Sequence, residues 1–242
     1  MRKSILMGAL AVVVMLALSG CGNNDADVGD NGYVDGVYSA SSTANERGFA
    51  WAEITIADGR ITNVQLKDFN GLGMEKDWDV YPYGLAKEAL DQLEQAFVDE
   101  NGTDVDTVTG ATTSSKNFIE AVEFALAKAT PEADAGEYFD GTFMGISDPD
   151  DRGWGIAWVT VENDAIKEVE LLETMPEDDG FVIKATDGDD RYHYEPYHVA
   201  RQQLAEDIVE QGSTDVDAVS GATSSSAKMI QAVERALEAA QR

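Results

Sequence analysis

The sequence predicts an α+β fold: two tandem domains, each a largely antiparallel sheet with packed helices. Three observations predict it. The chain repeats itself, each repeat carries a hairpin signal between strand-like runs, and each repeat contains two helical stripes of apolar residues. Asp35-Gly36-Val37-Tyr38 matches Asp140-Gly141-Thr142-Phe143, and at the same offset Arg47-Gly48-Phe49 matches Arg152-Gly153-Trp154. Ile54-Thr55-Ile56 matches Val159-Thr160-Val161, while Ile61 and Val64 match Ile166 and Val169. Pro82-Tyr83 with Pro196-Tyr197, and later Asp106–Ser115 with Asp217–Ser226, match at slightly larger offsets. The length changes therefore fall in loops, as expected for two copies of one fold.

The elements follow in chain order. Arg2 and Lys3 precede an almost wholly apolar run from Ile5 to Leu18, too short to span a bilayer comfortably, and residues 1–20 read as an export signal. The segment 21–32 is polar, acidic and glycine-rich; it has little apolar surface to bury and reads as a flexible tether. The first domain occupies 33–130. A short strand is expected near 36–40, then two strands around the Asp58-Gly59 turn, a strong hairpin signal. A loop follows, then a helix whose Ala86, Leu90, Leu93 and Phe97 share one face, and a last helix with Ile119, Val122 and Leu126. Residues 131–137 form a linker. The second domain, 138–242, repeats the plan with Asn163-Asp164 at its turn, a long loop over 173–196, a helix carrying Ala200, Leu204 and Ile208, and a last helix carrying Ile230, Val233 and Leu237. Each copy has its own hairpin and stripes, so each is expected to fold alone.

Composition excludes some functions. The 242 residues hold 17 Lys+Arg against 46 Asp+Glu, a formal net charge of −29, which repels phosphate backbones and rules against nucleic acid as a partner. Cys21 is the single cysteine, so the chain forms no internal disulfide. The acidic runs Asp148–Asp151 and Asp187–Asp190 lack the spacing of a calcium loop, and no metal site is expected. A hydrolase with a serine or threonine nucleophile needs a base. The two histidines, His193 and His198, both fall in the second copy, whereas both copies keep the hydroxyl-rich phrase, so no catalytic residues are assigned.

That phrase is Asp-x-x-(Ser/Thr)-Gly-Ala-Thr, followed by hydroxyl residues and a helix. Gly110 and Gly221 allow a sharp turn or a close approach to a ligand. Ala111 and Ala222 keep the surroundings small. The hydroxyl run beginning at Thr112 or Thr223 is placed to cap a helix, and a helix N-terminus offers N–H groups to an anion. From the residues alone two readings stay open: a glycine turn with a helix cap, duplicated with everything else, or a pair of phosphate sites.

Two resemblances sharpen this. Leu18-Ser19-Gly20-Cys21 resembles the bacterial lipobox, which implies lipidation at Cys21, against the alternative of an ordinary signal with an incidental cysteine. The repeated phrase resembles the flavinylation motif of FMN-binding domains, as in membrane-anchored subunits of the Rnf complex and the sodium-pumping quinone reductase. The chain from 33 to 242, behind its lipobox, resembles flavinylated lipoproteins of extracellular electron transfer. The resemblance implies two FMN cofactors, each joined by a phosphoester to the last threonine of the motif, Thr112 and Thr223. Asp106 and Asp217 hold the leading acidic position; Thr109, Gly110 and Ala111, and Ser220, Gly221 and Ala222, hold the middle. It also implies a magnesium-dependent flavin transferase with FAD as donor, a membrane electron donor such as a quinone-linked dehydrogenase, an external acceptor, and an anchored carrier on the outer face of the cell membrane, not a stand-alone reductase. Tyr83, Tyr197, Trp78 and Trp154 are aromatic candidates for the flavin ring, with ordinary core packing as the alternative. A cofactor-free binding or adhesion lipoprotein, and a protein that holds FMN without a covalent bond, are the rival readings.

Overall fold

The computed structural model describes residues 32–78, 80, 84–130, 136–178, 180–184 and 192–242. The export signal, Cys21, nearly all of the tether, Tyr83 and most of the linker lie outside the described residues.

In the first unit β1 (Gly36–Ser41), β2 (Gly48–Ala57) and β3 (Arg60–Asn70) form an antiparallel meander, followed by α1 (Gly84–Glu100) and α2 (Thr112–Lys128). The second unit repeats this as β4 (Gly141–Ile146), β5 (Gly155–Glu162), β6 (Ala165–Glu177), then α3 (Glu195–Gln211) and α4 (Thr223–Ala240). It adds one strand, β7 (Gly180–Ile183), beyond β6. The fold is α+β, as the sequence predicts. The added strand corrects the expectation of a loop there: Phe181, Val182 and Ile183 are strand formers, and Phe181 rests on Trp154 with ring centroids 4.8 Å apart.

The hairpin signals act as read. Asp58 and Gly59 have φ of 54° and 67°, and Asn163 and Asp164 have 51° and 58°, the left-handed pair that a two-residue turn needs. Each turn is clasped by the aspartate that opens its copy. Asp35 accepts the N–H groups of Asp58 (3.0 Å) and Gly59 (2.9 Å), and Asp140 accepts that of Asn163 (2.7 Å). The register is equivalent across the repeat: Ile54 faces Val64 and Ala52 faces Leu66, as Val159 faces Val169 and Ala157 faces Leu171.

Each sheet buries one face under its helices. Ala52, Ile54, Leu93, Phe97, Phe118 and Val122 lie in the first core, and Ala157, Val159, Leu204, Ile208, Met229 and Val233 in the second. In the last-helix stripe Val122, Leu126 and Val233 are buried as expected, whereas Ile119, Ile230 and Leu237 are only partly buried; Phe118, Ala121 and Ala125, with their counterparts Met229, Ala232 and Ala236, complete the buried face. Alanines carry this face because the helix lies close on the sheet. A Cβ at Gly155 would come 2.6 Å from the Lys228 carbonyl oxygen.

The two units dock. Phe124 of α2 stacks on Phe139 at 4.2 Å, the Trp154 indole N–H donates to the Leu72 carbonyl (2.9 Å), and the Ala44 N–H donates to the Thr142 carbonyl (2.7 Å). Met144, Trp154, Ile156 and Leu172, on the outer face of the second sheet, pack with Ala44, Phe49 and Leu72 of the first unit. A cleft of about 710 Å³ opens beside this contact, between the loops at one end of the first sheet and the outer face of β5 and β6. In both units the chain enters and leaves at one point: the Val34 N–H donates to the Ala129 carbonyl (2.9 Å), and the Phe139 N–H to the Ala240 carbonyl (2.8 Å).

Candidate flavin-attachment sites

The repeated phrase builds the same small structure twice. Gly110 and Gly221 have φ of 87° and 85°, a conformation that side-chain-bearing residues rarely adopt. The chain turns there, and the N–H groups of Ala111 and Ala222 close back on the carbonyls of Val108 and Val219, each at 3.0 Å. Helices α2 and α4 begin at the next residue, so Thr112 and Thr223 are the first helical positions.

The expectation that hydroxyl residues cap these helices is corrected. The capping positions are held by Ala111 and Ala222, and neither makes a side-chain capping bond. The first-turn amides thus have no cap from that position. No acidic side chain lies in the first turn of either helix, although the chain carries 46 acids. A carboxylate there would favour the helix dipole but would repel a bound phosphate. In α2 a depression of about 320 Å³, lined by Gly110, Ala111, Thr112, Thr113 and Ser114, lies over this turn.

Thr112 and Thr223 are exposed, as are Thr109, Ser220, Gly110, Gly221 and the leading Asp106 and Asp217; Ala111 and Ala222 are buried. The two threonine side chains therefore lie at the surface, on a backbone held by further hydrogen bonds. What fixes that backbone is a residue the sequence reading did not single out. Ser115 is fully buried; it accepts the Val108 N–H (3.1 Å) and donates to the Ala111 carbonyl (2.9 Å). Ser226 repeats both bonds, with Val219 (3.1 Å) and Ala222 (3.0 Å). A small hydroxyl three positions after the motif's last threonine in both copies was the available signal.

Around Thr223 the site carries more side chains. The Arg152 guanidinium reaches the Ser224 hydroxyl (3.4 Å), which sets a cation beside the first turn. Ser225 donates to Glu173 (2.7 Å), a buried carboxylate that also meets Lys184 (2.6 Å) and Lys228 (3.3 Å). Lys228 also bonds Asp150 (2.8 Å), and that hydrogen bond holds the Asp150 carboxyl below its usual range. In the first unit the position of Glu173 is taken by Asp68, paired with Lys76 at 2.8 Å; burial pushes the Asp68 carboxyl up, and Lys76 opposes that shift.

The aromatic candidates are redistributed. Tyr197 is fully buried, and burial pushes its phenol up to about 12; Trp154 is buried and committed to Leu72. Neither offers a ring face to a ligand. Trp78 packs partly buried against the first core. Tyr194, which the sequence reading passed over, is half exposed, and its hydroxyl donates to the Gly221 carbonyl (2.7 Å). His198 lies in α3 with its Nε2 2.9 Å from the Tyr192 carbonyl, as a structural histidine would. Among the described residues no group of three or more His, Cys, Asp or Glu is placed to hold a metal, and no helix is long and apolar enough to cross a membrane.

The FMN-binding domain family matches residues 47–127 and again 154–238, and the chain belongs to that family as a tandem of two such domains. A crystal structure of the CPE2226 protein from Clostridium perfringens is 31% identical over a match that covers 40% of this chain and 88% of that chain, with a TM-score of 0.34. No curated protein is significantly similar. The chain is thus an FMN-binding protein, and its duplicated helix starts fit the group: uncapped amides for a phosphate, an open hydroxyl, and small neighbours.

Proposed function

We propose that the chain is a lipid-anchored extracytoplasmic electron carrier with FMN joined through a phosphoester to Thr112 and to Thr223. The observation that carries this reading is the repeated presentation of one exposed threonine at the first position of an uncapped, acid-free helix start. A noncovalent site needs no hydroxyl at that point in both copies. A threonine hydroxyl is a weak nucleophile and needs outside activation, which a magnesium-dependent transferase supplies. In that reaction the threonine oxygen replaces AMP on the FMN phosphorus of FAD, and the hydroxyl proton is lost. The chain's own part is to hold the oxygen at the surface and the amides beside the phosphate. Bound FMN supplies reversible one- and two-electron chemistry. The anchor is Cys21, the donor a membrane dehydrogenase, and the acceptor lies outside the cell.

The test is coexpression with a flavin transferase, followed by intact mass and a denaturing gel viewed under ultraviolet light. Two FMN groups less two waters are expected, with one lost in Thr112→Ala and the other in Thr223→Ala. Colour that washes out on denaturation would establish the noncovalent reading, and a colourless chain the cofactor-free module. Wild-type protein without lipid at Cys21 would remove the anchor.

A further inference from the structure

We propose that the cleft between the two domains is the seat of the flavin ring carried by Thr112, so that the second domain completes the first domain's site. This rests on the attachment reading above. The internal repeat serves as the ruler. In the second domain the Arg152 guanidinium lies 3.4 Å from Ser224, which places the loop before β5 at the first turn of α4. The matching loop of the first domain, before β2, is built the same way. Asn45 accepts the Arg47 N–H (2.8 Å) as Asp150 accepts that of Arg152 (2.8 Å). Thr43 is tied to Glu120 of α2 (2.9 Å) as Asp148 is tied to Gln231 of α4 (2.8 Å), at equivalent helix positions. By this equivalence the loop faces the N-terminal half of α2, the helix that Thr112 opens, and its Asn45 and Glu46 line the cleft.

The far wall belongs to the second domain. Leu72 and Leu172 give apolar surface on the two sides, and Trp158 lies between them on β5. The Trp158 indole N–H is buried and has no hydrogen-bond partner among the described residues. An orphan donor of this kind is destabilising, and a flavin ring carbonyl would satisfy it. At about 710 Å³ the cleft falls in the size range of small-ligand sites and suits a three-ring heterocycle. Glu46, Glu168 and Glu170 rim it. These acids oppose the negative charge that arrives with each electron, so the first flavin is the harder of the two to reduce.

The test uses the full chain loaded by the transferase. Thr223→Ala leaves only the first flavin and Thr112→Ala only the second. Flavin emission is read with and without Trp158→Phe. In the cleft Trp158 quenches the ring, so Trp158→Phe raises the emission of the first flavin several-fold and leaves the second unchanged. A second measurement follows the midpoint potential: the pair Glu168→Gln and Glu170→Gln raises that of the first flavin and not of the second. If Thr112 carries covalent flavin whose emission ignores Trp158 and whose potential ignores both glutamates, the seat lies elsewhere and the attachment reading stands. If the denaturing gel shows no flavin on Thr112, both fall.

Discussion

The two domains share a backbone and differ in what they bury. Ala40 and Ala50 of the first sheet correspond to Gly145 and Gly155 of the second, and there α4 lies so close that a Cβ at Gly145 would strike the Ala232 carbonyl. At one sheet position the first domain has Asp68 paired with Lys76; the second has Glu173, held by Lys184, Lys228 and Ser225. On α2, Phe124 stacks on the partner domain; its counterpart on α4 is Arg235, bonded to the Ile146 carbonyl (2.8 Å) and Asp148 (2.6 Å). By contrast the turn of the phrase is the same in both, to about a tenth of an ångström in its hydrogen bonds. The lesson is that the turn of the repeated phrase is held fixed while its support drifts.

The sharpest way to break that contrast is Glu173→Ala. It leaves two buried lysines without their shared carboxylate and is expected to cost about 3–5 kcal/mol, against roughly 1–3 for Asp68→Ala, where Lys76 sits nearer the surface. Denaturant unfolding of both variants measures this; equal costs would mean that the larger network adds nothing. Next is Gly145→Ala, expected to cost about 1–3 kcal/mol because α4 must lift, while Ala40→Gly in the first domain costs only about 0.5–1 kcal/mol through added chain freedom. Ser115→Ala and Ser226→Ala should each cost about 1 kcal/mol and, given their matched bonds, the same amount. They should also lower the extent of flavin attachment at their own threonine, read by mass. The smallest effect belongs to Thr112→Ala and Thr223→Ala. Both are exposed and cap nothing, so stability should move by less than about 0.5 kcal/mol while the modification is lost completely.

Much of this was legible in the sequence for a physical reason. Hairpin turns such as Asp58-Gly59 and Asn163-Asp164 are local, and so is the need for glycine at 110 and 221. The duplication doubled every such signal. Three things were hidden because they depend on distant partners. Trp154 reads as a ligand aromatic until Leu72 is seen to occupy its indole. Which residues of α4 face its sheet depends on how closely the helix lies there, which Gly145 of β4 and Gly155 of β5 permit. The capping role went to Ala111 and Ala222 because the left-handed glycine, and not the hydroxyl run, sets where the helix begins; a cap read from residue type alone was bound to slip by one position. Strand β7 was missed for its length, since Phe181-Val182-Ile183 is too short to show a period.

The meeting of chain ends in each domain, Val34 with Ala129 and Phe139 with Ala240, has a consequence for how such a protein can grow. A unit that is entered and left at one spot is a side loop on the chain's path, not a segment of it. Another copy can be spliced in there while the neighbours stay nearly where they were, because the gap to be bridged is one hydrogen bond wide. Lengthening such a chain by repetition then needs no redesign of the joints, only a docking residue such as Phe124 on the copy that precedes.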